Sequence, residues 1–475
     1  MERYNAIVIG SGPNGLAAAI RLSQEGWRTL VLEAADAPGG GMRTRELTLP
    51  GFRHDVCSAV HPMAIGSPFF RSLDLEGNGL RWLQPDVAVA HPLDGGRAAA
   101  ARRDLSATAR ELGEDGPVYR STFKPWVDRA AKLFPDALAP LRIPEHPLLF
   151  AGVGLEAWKP AIRFAKRFHG EPGRALFAGL AAHGVLPLDS FLSSAIGIMM
   201  LVAAHSYGWP VPEGGAQAIT DALVRALLSL GGELRCGVTV RSPRELPPAD
   251  VYLFDVAPRN LAAICEDTLP AGYRRRLLAY RHGPGVFKVD YALSAPIPWE
   301  APVCRQAGTV HVGGTLEEVA AAERAPWDGT LADRPFVIVA QPTLLDATRA
   351  PRGRHVAWAY CHVPHGSNVD RREAISGQIE RFAPGFRDCI LAAHTTNCAE
   401  LEAYNANNVG GDVVGGVTDW RQLFTRPVAR WNPYATPNPR VYLCSASTPP
   451  GGGVHGMCGY WAAEAAMRGS APTKR

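Results

Sequence analysis

The stretch YNAIVIGSGPNGLAAAIRLSQEGWRTLVLEA, residues 4–34, carries the patterns of a strand, a glycine-rich turn, a helix and a second strand in succession. The apolar, β-branched run 6–9 predicts a buried strand, and the alanine- and leucine-rich run 14–25 predicts a helix. The run 29–32 predicts a second buried strand. This order predicts an α/β fold that opens with a Rossmann-like dinucleotide-binding unit.

The turn contains Gly10, Gly12 and Gly15 in the spacing G-x-G-x-x-G. In this arrangement the first glycine makes the turn, the second admits a pyrophosphate, and the third lets helix and strand pack closely. Glu33 ends the second strand, where a carboxylate accepts hydrogen bonds from a ribose hydroxyl. A turn with a purely structural role is the alternative. The predicted contacts of the dinucleotide here are Gly10, Ser11, Gly12, Pro13, Asn14, Gly15, Glu33 and Ala34.

A second glycine-rich segment, AADAPGGGMRTRELTLPGFRHD, follows at 34–55. Gly40 and Gly41 permit another close approach of backbone to ligand, and Arg43 offers a cation for the pyrophosphate. A nicotinamide-binding domain would continue here into a third strand, whereas this chain predicts a loop. That difference favours FAD over NAD, although a surface loop with a solvated arginine also fits the residues.

The bulk composition narrows the class of protein. The 475 residues carry a net charge of +4, with 47% hydrophobic residues, which is typical of a globular chain and gives no indication of nucleic-acid binding. The nine cysteines are scattered without a C-x-x-C pair, so we expect reduced thiols, no metal and a cytoplasmic location. The apolar run 191–204 is too short to span a bilayer and predicts a buried or interfacial helix, which leaves peripheral membrane contact open.

Near the other end of the chain, STPPGGGVHGMCGYWAAEAA occupies residues 447–466. Two prolines hold this segment in shape, and three consecutive glycines allow something to approach its backbone closely. Seen alone, the segment is consistent either with a surface turn or with a ligand contact at the start of a helix.

Four segments together resemble one flavoprotein family: GSGPNGLAAAIRL (10–22), VLEAADAPGGG (31–41), GFRHDVCSAVHP (51–62) and STPPGGGVHGMCGYWAA (447–463). They are similar to the phytoene desaturases and carotenoid ketolases, most of all to the branch typified by pyridine nucleotide-disulfide oxidoreductase domain-containing protein 2. The resemblance to flavin amine oxidases is more distant.

The resemblance implies an FAD-binding domain of the glutathione-reductase and amine-oxidase type, interleaved with an α+β substrate domain. On this basis residues 1–80, 209–267 and 411–475 form the FAD-binding domain, and the last of these segments closes over the flavin. Residues 81–208 and 268–410 form the substrate domain, as two insertions.

The resemblance also implies roles for individual residues. Val240 lies in a strand that follows a helix and a Gly-Gly stop, and its backbone meets the adenine. Lys288 corresponds to the amine-oxidase lysine that reaches flavin N5 through a water; a solvated ion pair with Asp290 is the alternative. His61 and His455 lie beside the flavin-contacting segments. The loop 407–416 borders the substrate cavity, or else is a flexible loop. The residues implied near the flavin at the C-terminal end are Ser447, Gly452, Gly453, Val454, His455, Gly456 and Met457.

Two departures from the family pattern are visible. Amine oxidases have arginine where this chain has Gly41, and the acidic residue that usually precedes the C-terminal glycines is replaced by SAST, residues 445–448. These departures bear on the predicted cofactor contacts of Arg43 and Ser447 more than on those of the glycines.

The function implied is that of an FAD-dependent oxidoreductase that removes hydride from an apolar or long-chain substrate, with oxygen or a quinone as the electron acceptor. An amine-oxidase-like activity that makes hydrogen peroxide is the first alternative. A non-redox lipid or prenyl binder of the same fold is the second, against which the intact glycine motifs argue.

Overall fold

A computed structural model describes residues 3–470 of the chain. The terminal residues 1–2 and 471–475 lie outside it, and so do the corresponding ends of the predicted segments 1–80 and 411–475. The strands are β1 (Tyr4–Ile9), β2 (Thr29–Leu32), β3 (Thr44–Glu46), β4 (Arg53–Asp55), β5 (Trp82–Leu83), β6 (Val87–Leu93), β7 (Arg97–Arg102), β8 (Val211–Pro212), β9 (Glu233–Arg235), β10 (Ala249–Phe254), β11 (Gly285–Leu293), β12 (Ala307–Val312), β13 (Val337–Ala340), β14 (His355–Val363), β15 (Ile390–Thr396) and β16 (Val441–Leu443).

The α-helices range from one turn to four. They are α1 (Pro13–Gln24), α2 (Pro62–Gly66), α3 (Pro68–Arg71), α4 (Leu105–Glu111), α5 (Gly116–Val127), α6 (Ala130–Ala137), α7 (Pro147–Ala157), α8 (Ala161–Ala165), α9 (Glu171–Ala182), α10 (Ser193–Ser206), α11 (Gln217–Ser229), α12 (Pro258–Ile264), α13 (Ala271–Leu278), α14 (Leu316–Arg324), α15 (Arg372–Phe382), α16 (Cys398–Tyr404), α17 (Trp420–Leu423) and α18 (Met457–Ser470).

A five-stranded parallel sheet has the strand order β16-β10-β1-β2-β9. The strand predicted at 6–9 begins two residues earlier, the helix predicted at 14–25 begins and ends one residue earlier, and β2 has the predicted bounds. The chain runs from β1 to β2 on one side, whereas β10 pairs with the other side of β1. The carboxyl ends of β1 and β10 therefore form the switch point at which such sheets bind ligands. The predicted Rossmann-like α/β fold is confirmed.

A second, mixed sheet of seven strands has the order β15-β11-β14-β13-β12-β6-β7. Its strands come from two distant parts of the chain, 87–102 and 285–396, which meet where β6 pairs with β12 in parallel. Strands β11 and β14 have the sequences GVFKVDYAL and HVAWAYCHV. Strand β11 is buried along its whole length: β14 and β15 pair with its two edges, and helices α15 and α16 pack against it.

Helix α18 packs on α1, which brings the end of the chain back to its beginning. A Cβ atom at Gly459 would lie 1.8 Å from the carbonyl oxygen of Asn14, so only glycine allows this approach. The apolar face of α1 is buried beneath it, including Leu16 and Ile20, and each such side chain contributes about 1.5–3 kcal/mol on burial. The two glycine-rich ends of the sequence are thus held side by side.

One difference from the sequence predictions concerns Val240. Strand β9 ends at Arg235, so Val240 follows the strand instead of lying in it. The apolar run 191–204 falls mostly within the largely buried helix α10, as predicted. Among the described residues, no helix has both the length and the apolar character needed to cross a bilayer.

Candidate dinucleotide and substrate site

A cavity of about 800 Å³ extends from the carboxyl edge of the parallel sheet to the face of the mixed sheet. Most of the predicted site residues line it. These are Gly10, Ser11, Gly12, Pro13, Asn14, Glu33, Ala34, Gly40, Gly41, Arg43, His61, Val240, Lys288, Ser447, Gly453 and Val454. Five predicted residues lie outside this lining: Gly15, Gly452, His455, Gly456 and Met457.

The glycines of the first turn are required by close contacts. A Cβ atom at Gly15 would lie 2.1 Å from the carbonyl oxygen of Gly10, so Gly15 serves helix-strand packing and does not face the cavity. A Cβ atom at Gly40 would lie 3.0 Å from the Cα atom of Gly12, which means that the two glycine segments touch. Gly12, Pro13 and Asn14 line the cavity at the N-terminus of α1, where the partial positive charge of the helix dipole suits a diphosphate.

Glu33 is held in a fixed position at the end of β2. Its carboxylate accepts hydrogen bonds from the Ser11 amide (2.9 Å), the Ser11 hydroxyl (2.5 Å) and the Ala35 amide (2.9 Å). It is 9% exposed and lines the cavity, so part of its acceptor capacity faces the place predicted for the ribose.

Arg43 is engaged with the protein itself. Its guanidinium donates to the carbonyl oxygens of Pro38 (3.1 Å) and Ala37 (2.6 Å) and lies 3.5 Å from Glu33. It also lies 5.4 Å from the ring of Tyr404. This geometry gives Arg43 the role of holding the second glycine segment against Glu33, and its contact with pyrophosphate stays a prediction.

Asp255, directly after β10, is a buried acid on the cavity lining that the sequence analysis did not single out. Its carboxylate accepts a hydrogen bond of 2.9 Å from the Gly15 amide, and a Cβ atom at Gly12 would lie 2.8 Å from the same oxygen. Burial raises the pKa of Asp255 to about 7; the bond from Gly15 lowers it and the nearby Glu33 raises it. The group therefore titrates near neutral pH beside the predicted diphosphate position.

Replacing Asp255 with asparagine tests this titration. A diphosphate repels the carboxylate, so binding of FAD should favour protonated Asp255 and take up a proton. We expect the wild-type affinity for FAD to weaken by up to about tenfold per pH unit as the pH rises above the pKa of about 7. Asp255→Asn should bind with little pH dependence in the same range. Titrations by flavin fluorescence quenching measure this, and equal slopes for both proteins would contradict the assignment.

Arg426 ties together the loops at the C-terminal end of the cavity. It is buried, and it donates to the carbonyl oxygens of Gly415, Ala446 and Ser447 at 2.9–3.3 Å. The SAST segment adds a bond of 2.7 Å between the hydroxyls of Ser445 and Ser447. A buried arginine and two serines thus order this segment, in which the family's acid is absent.

His455 caps helix α18. Its Nδ1 accepts a hydrogen bond of 3.0 Å from the Met457 amide, and its Nε2 lies 3.2 Å from the carbonyl oxygen of Gly451. Burial lowers the pKa of His455 to about 4, so the ring is neutral. Both ring nitrogens are occupied within the loop, and the geometry gives no support to a catalytic role.

The loop 407–416 is ordered by buried polar contacts. Asn407 bonds the carbonyl oxygen of Asp255 and the amide of Ala257, and buried Asp412 accepts bonds from the amides of Gly283 and Val414. Several of its residues line the cavity. These contacts favour the prediction that the loop borders the cavity over the alternative of a flexible loop.

Lys288 lies on β11 at the far end of the cavity. It forms a close ion pair with Asp290 and lies 5.9 Å from the ring of Trp358. Lys288 is 2% exposed and Asp290 is fully buried, so the expectation that this pair is solvated is wrong. The pair is buried because β14 and β15 enclose β11 and because His54 packs 3.6 Å from Asp290.

The substrate half of the cavity is apolar with a few histidines. Apolar and aromatic side chains dominate this half: Met63, Met200, Trp209, Val286, Ile338, Trp358 and Tyr360. His61 lines it too, and burial lowers its pKa to about 4. His183, missed by the sequence analysis, lies with its Nε2 2.8 Å from Nε2 of His311, and burial lowers its pKa to about 3. Lys288, whose charge is paired with Asp290, is the lysine that lines this half.

Asp255, His183 and Arg426 differ in how far sequence alone could have revealed them. Asp255 follows an apolar strand directly, as Glu33 does, and that signal was available. Nothing local marks His183 or Arg426, because their roles depend on elements distant in the chain.

The comparisons with known proteins agree with this geometry. A family model described as NAD(P)-binding Rossmann-like domain matches residues 8–73. The chain is 25% identical to the mouse (Mus musculus) pyridine nucleotide-disulfide oxidoreductase domain-containing protein 2, over 98% of this chain and 93% of that protein. It is 23% identical to a lycopene-forming phytoene desaturase of Pseudescherichia vulneris, over 95% of this chain and 96% of that protein.

Among solved structures, a triple mutant of putrescine oxidase superposes with a TM-score of 0.62 at 16% identity, over 98% of this chain and 99% of that one. This likeness concerns the fold. The predicted resemblance to phytoene desaturases and amine oxidases is confirmed, and so is the prediction that the chain is an enzyme of the oxidoreductase class.

Proposed function

We propose that this protein is an FAD-dependent oxidoreductase that takes hydride from an apolar or long-chain substrate. The observation that carries the proposal is one continuous cavity that joins the dinucleotide cradle at Gly12 and Glu33 to an apolar, aromatic chamber at Trp209 and Trp358. Its volume lies within the usual range of small-molecule sites, about 300–1,000 Å³.

The residues present fit FAD. The two glycine segments leave a cradle that side chains do not enter, Glu33 is positioned at the end of β2, and a third glycine segment with Gly453 lines the cavity beyond the sheet edge. FAD, when bound, supplies the hydride acceptor. The chain supplies phosphate contacts at α1, an ordered wall at 445–447, and a chamber that packs an apolar carbon and excludes water.

An amine substrate is disfavoured by the charges around the chamber. The two acids on the cavity lining, Glu33 and Asp255, both lie at the dinucleotide end. At the substrate end, Asp290 is already paired with Lys288, so among residues 3–470 no lining carboxylate in this half is left to pair with a substrate ammonium group. The buried glycine cradle likewise argues against a non-redox lipid binder.

Anaerobic reduction of the bound flavin tests the substrate class. Long-chain apolar hydrocarbons in detergent micelles should bleach the flavin absorbance, whereas primary and polyamine substrates should leave it yellow, because only the former match the neutral chamber. Bleaching by amines alone would overturn the assignment in favour of an amine oxidase. A protein that remains colourless in excess FAD would overturn the cofactor as well.

A further inference from the structure

Helix α7 and its flanking residues expose an unusual amount of apolar surface. Leu141 is 69% exposed, Ile143 89%, Leu148 90% and Leu155 73%. Trp158 and Phe191 lie beside each other with ring centroids 6.1 Å apart, and both are exposed. These six residues, here named the apolar patch, lie close together in the chain apart from Phe191. Large exposed patches of this kind mark interaction surfaces.

The helix has no polar face that would suit water. Its sequence PLLFAGVGLEA contains a single charged residue, Glu156, and only Val153 is buried. Cβ atoms at Gly152 and Gly154 would meet nothing within 4 Å, so these positions are open as well. A short helix that is apolar all round and yet exposed needs an apolar partner.

The surroundings of the patch are cationic. Residues 124–167 contain eight lysines and arginines against four acids. All four acids have a basic partner within this segment: Asp128 pairs with Lys124, Asp136 and Glu145 with Arg142, and Glu156 with Lys159 and Arg167.

The excess cations are exposed. Arg129, Lys132, Arg163 and Lys166 are exposed and form no ion pair within residues 3–470. They lie in or next to α6 and α8, which pack with α7 around α10.

We propose that the apolar patch docks on an anionic lipid bilayer. Apolar side chains beside exposed lysines and arginines match the acyl boundary and the anionic headgroups of such a surface. A second copy of this chain matches the apolar patch less well than a bilayer does. A two-fold interface would place the patch against itself and bring both sets of unpaired cations together.

The position of the patch relative to the cavity adds a reason for this docking. Helix α7 packs against α10, and Met200 of α10 lines the substrate chamber. Phe191 lies two residues before α10 begins. A molecule held in the bilayer under the patch is thus one helix away from the chamber. The docking itself does not depend on the proposed chemistry.

Co-sedimentation with vesicles tests the proposal on the full-length, FAD-loaded protein. We expect binding to phosphatidylcholine-phosphatidylglycerol vesicles, weaker binding to phosphatidylcholine alone, and loss on raising the salt concentration. The double variant Leu148→Glu/Leu155→Glu should lose about tenfold or more in binding. Leu278→Glu, at a site that is 62% exposed on α13, is the matched control and should bind as the wild type does.

Tryptophan fluorescence and sedimentation velocity complete the test. Emission should shift to the blue on vesicle binding in the wild type, and this shift should be reduced in Trp158→Phe. Absence of wild-type binding, or equal binding by the double variant, would overturn the proposal. The proposal would also be overturned if the wild type were a dimer and the double variant were a monomer that still binds vesicles. The patch would then be the interface between two copies of the chain. Because the readout is lipid binding, failure here leaves the flavin-reduction result unaffected.

Discussion

Replacing Gly12 with valine is expected to give a folded protein that purifies without bound flavin. A Cβ atom at this position would lie 2.8 Å from a carboxylate oxygen of Asp255, and a larger side chain would also enter the space predicted for the diphosphate. The affinity for FAD should fall by at least about two orders of magnitude, since the valine side chain would hold the phosphates away from the N-terminus of α1. The flavin absorbance of the purified protein measures the loss.

The control for this variant is Gly272→Val. Gly272 lies in α13, and the nearest atom to its Cβ position is 3.9 Å away at Arg275, so the substitution meets no obstacle. This variant should purify yellow, as the wild type should. A yellow Gly12→Val protein would refute the assignment of the first glycine turn.

Acid precipitation of the wild type should release all the colour into the supernatant, which would show that the flavin is not covalently attached. The thiol of Cys458 is buried, does not line the cavity and has its pKa raised to about 11 by burial.

Circular dichroism separates loss of FAD from loss of the fold. Gly12 has a φ of −66°, which any residue can adopt, so valine at this position strains contacts and not the backbone. Gly15 would be a poorer choice for this experiment. Its Cβ atom would meet the backbone of Gly10 at 2.1 Å and would disturb helix-strand packing before it affected a ligand.

The parts of the site that sequence alone could predict are those built from local backbone. The first glycine turn, helix α1 and Glu33 lie within one β-α-β unit, so spacing along the chain specifies their arrangement. The predicted strand at Val240 was less accurate, because β9 stops at Arg235 once it has paired along β2. Val240 nevertheless lines the cavity, because the segment that follows β9 runs beside Glu33.

The parts that sequence could not predict depend on contacts between distant segments. Arg43 was predicted to face a pyrophosphate, and that contact stays a prediction; its hydrogen bonds to the carbonyl oxygens of Ala37 and Pro38 form only once the loop folds back. His455 was predicted from its place beside three glycines, yet it caps the helix that it precedes. In both cases the residue type was informative, and the direction of the side chain depended on its local hydrogen bonds.

Lys288 combines a local and a distant determinant. Alternation along β11 places Lys288 and Asp290 on one face, which the sequence predicted. Burial of that face depends on β14 and on His54, whose pKa is lowered to about 3, by burial first and then by the charges of Lys288 and Arg349. Burial raises the pKa of Asp290, whereas the Lys288 ammonium opposes that rise. A substitution of Lys288 therefore tests stability and chemistry together.

Replacing Lys288 with methionine is expected to slow reoxidation of the reduced flavin by oxygen about 10- to 100-fold, while reduction by substrate changes little. The reason is that a positive charge in a dry chamber stabilises negative charge that develops on oxygen, an effect worth a few kcal/mol. Packing of an apolar substrate does not need that charge. Stopped-flow absorbance in the two half-reactions measures both rates.

The double variant Lys288→Met/Asp290→Asn separates catalysis from stability. Methionine alone leaves Asp290 buried without its partner, and breaking a buried ion pair in this way costs about 3–5 kcal/mol, less to the extent that Asp290 takes up a proton. The double variant removes both charges and should recover thermal stability, but it should still reoxidise slowly. If the single variant lost stability and reoxidised at the wild-type rate, Lys288 would be a structural partner of Asp290. Oxygen would then be a poor candidate for the electron acceptor, and a quinone, which needs no cation at this position, would be the better one.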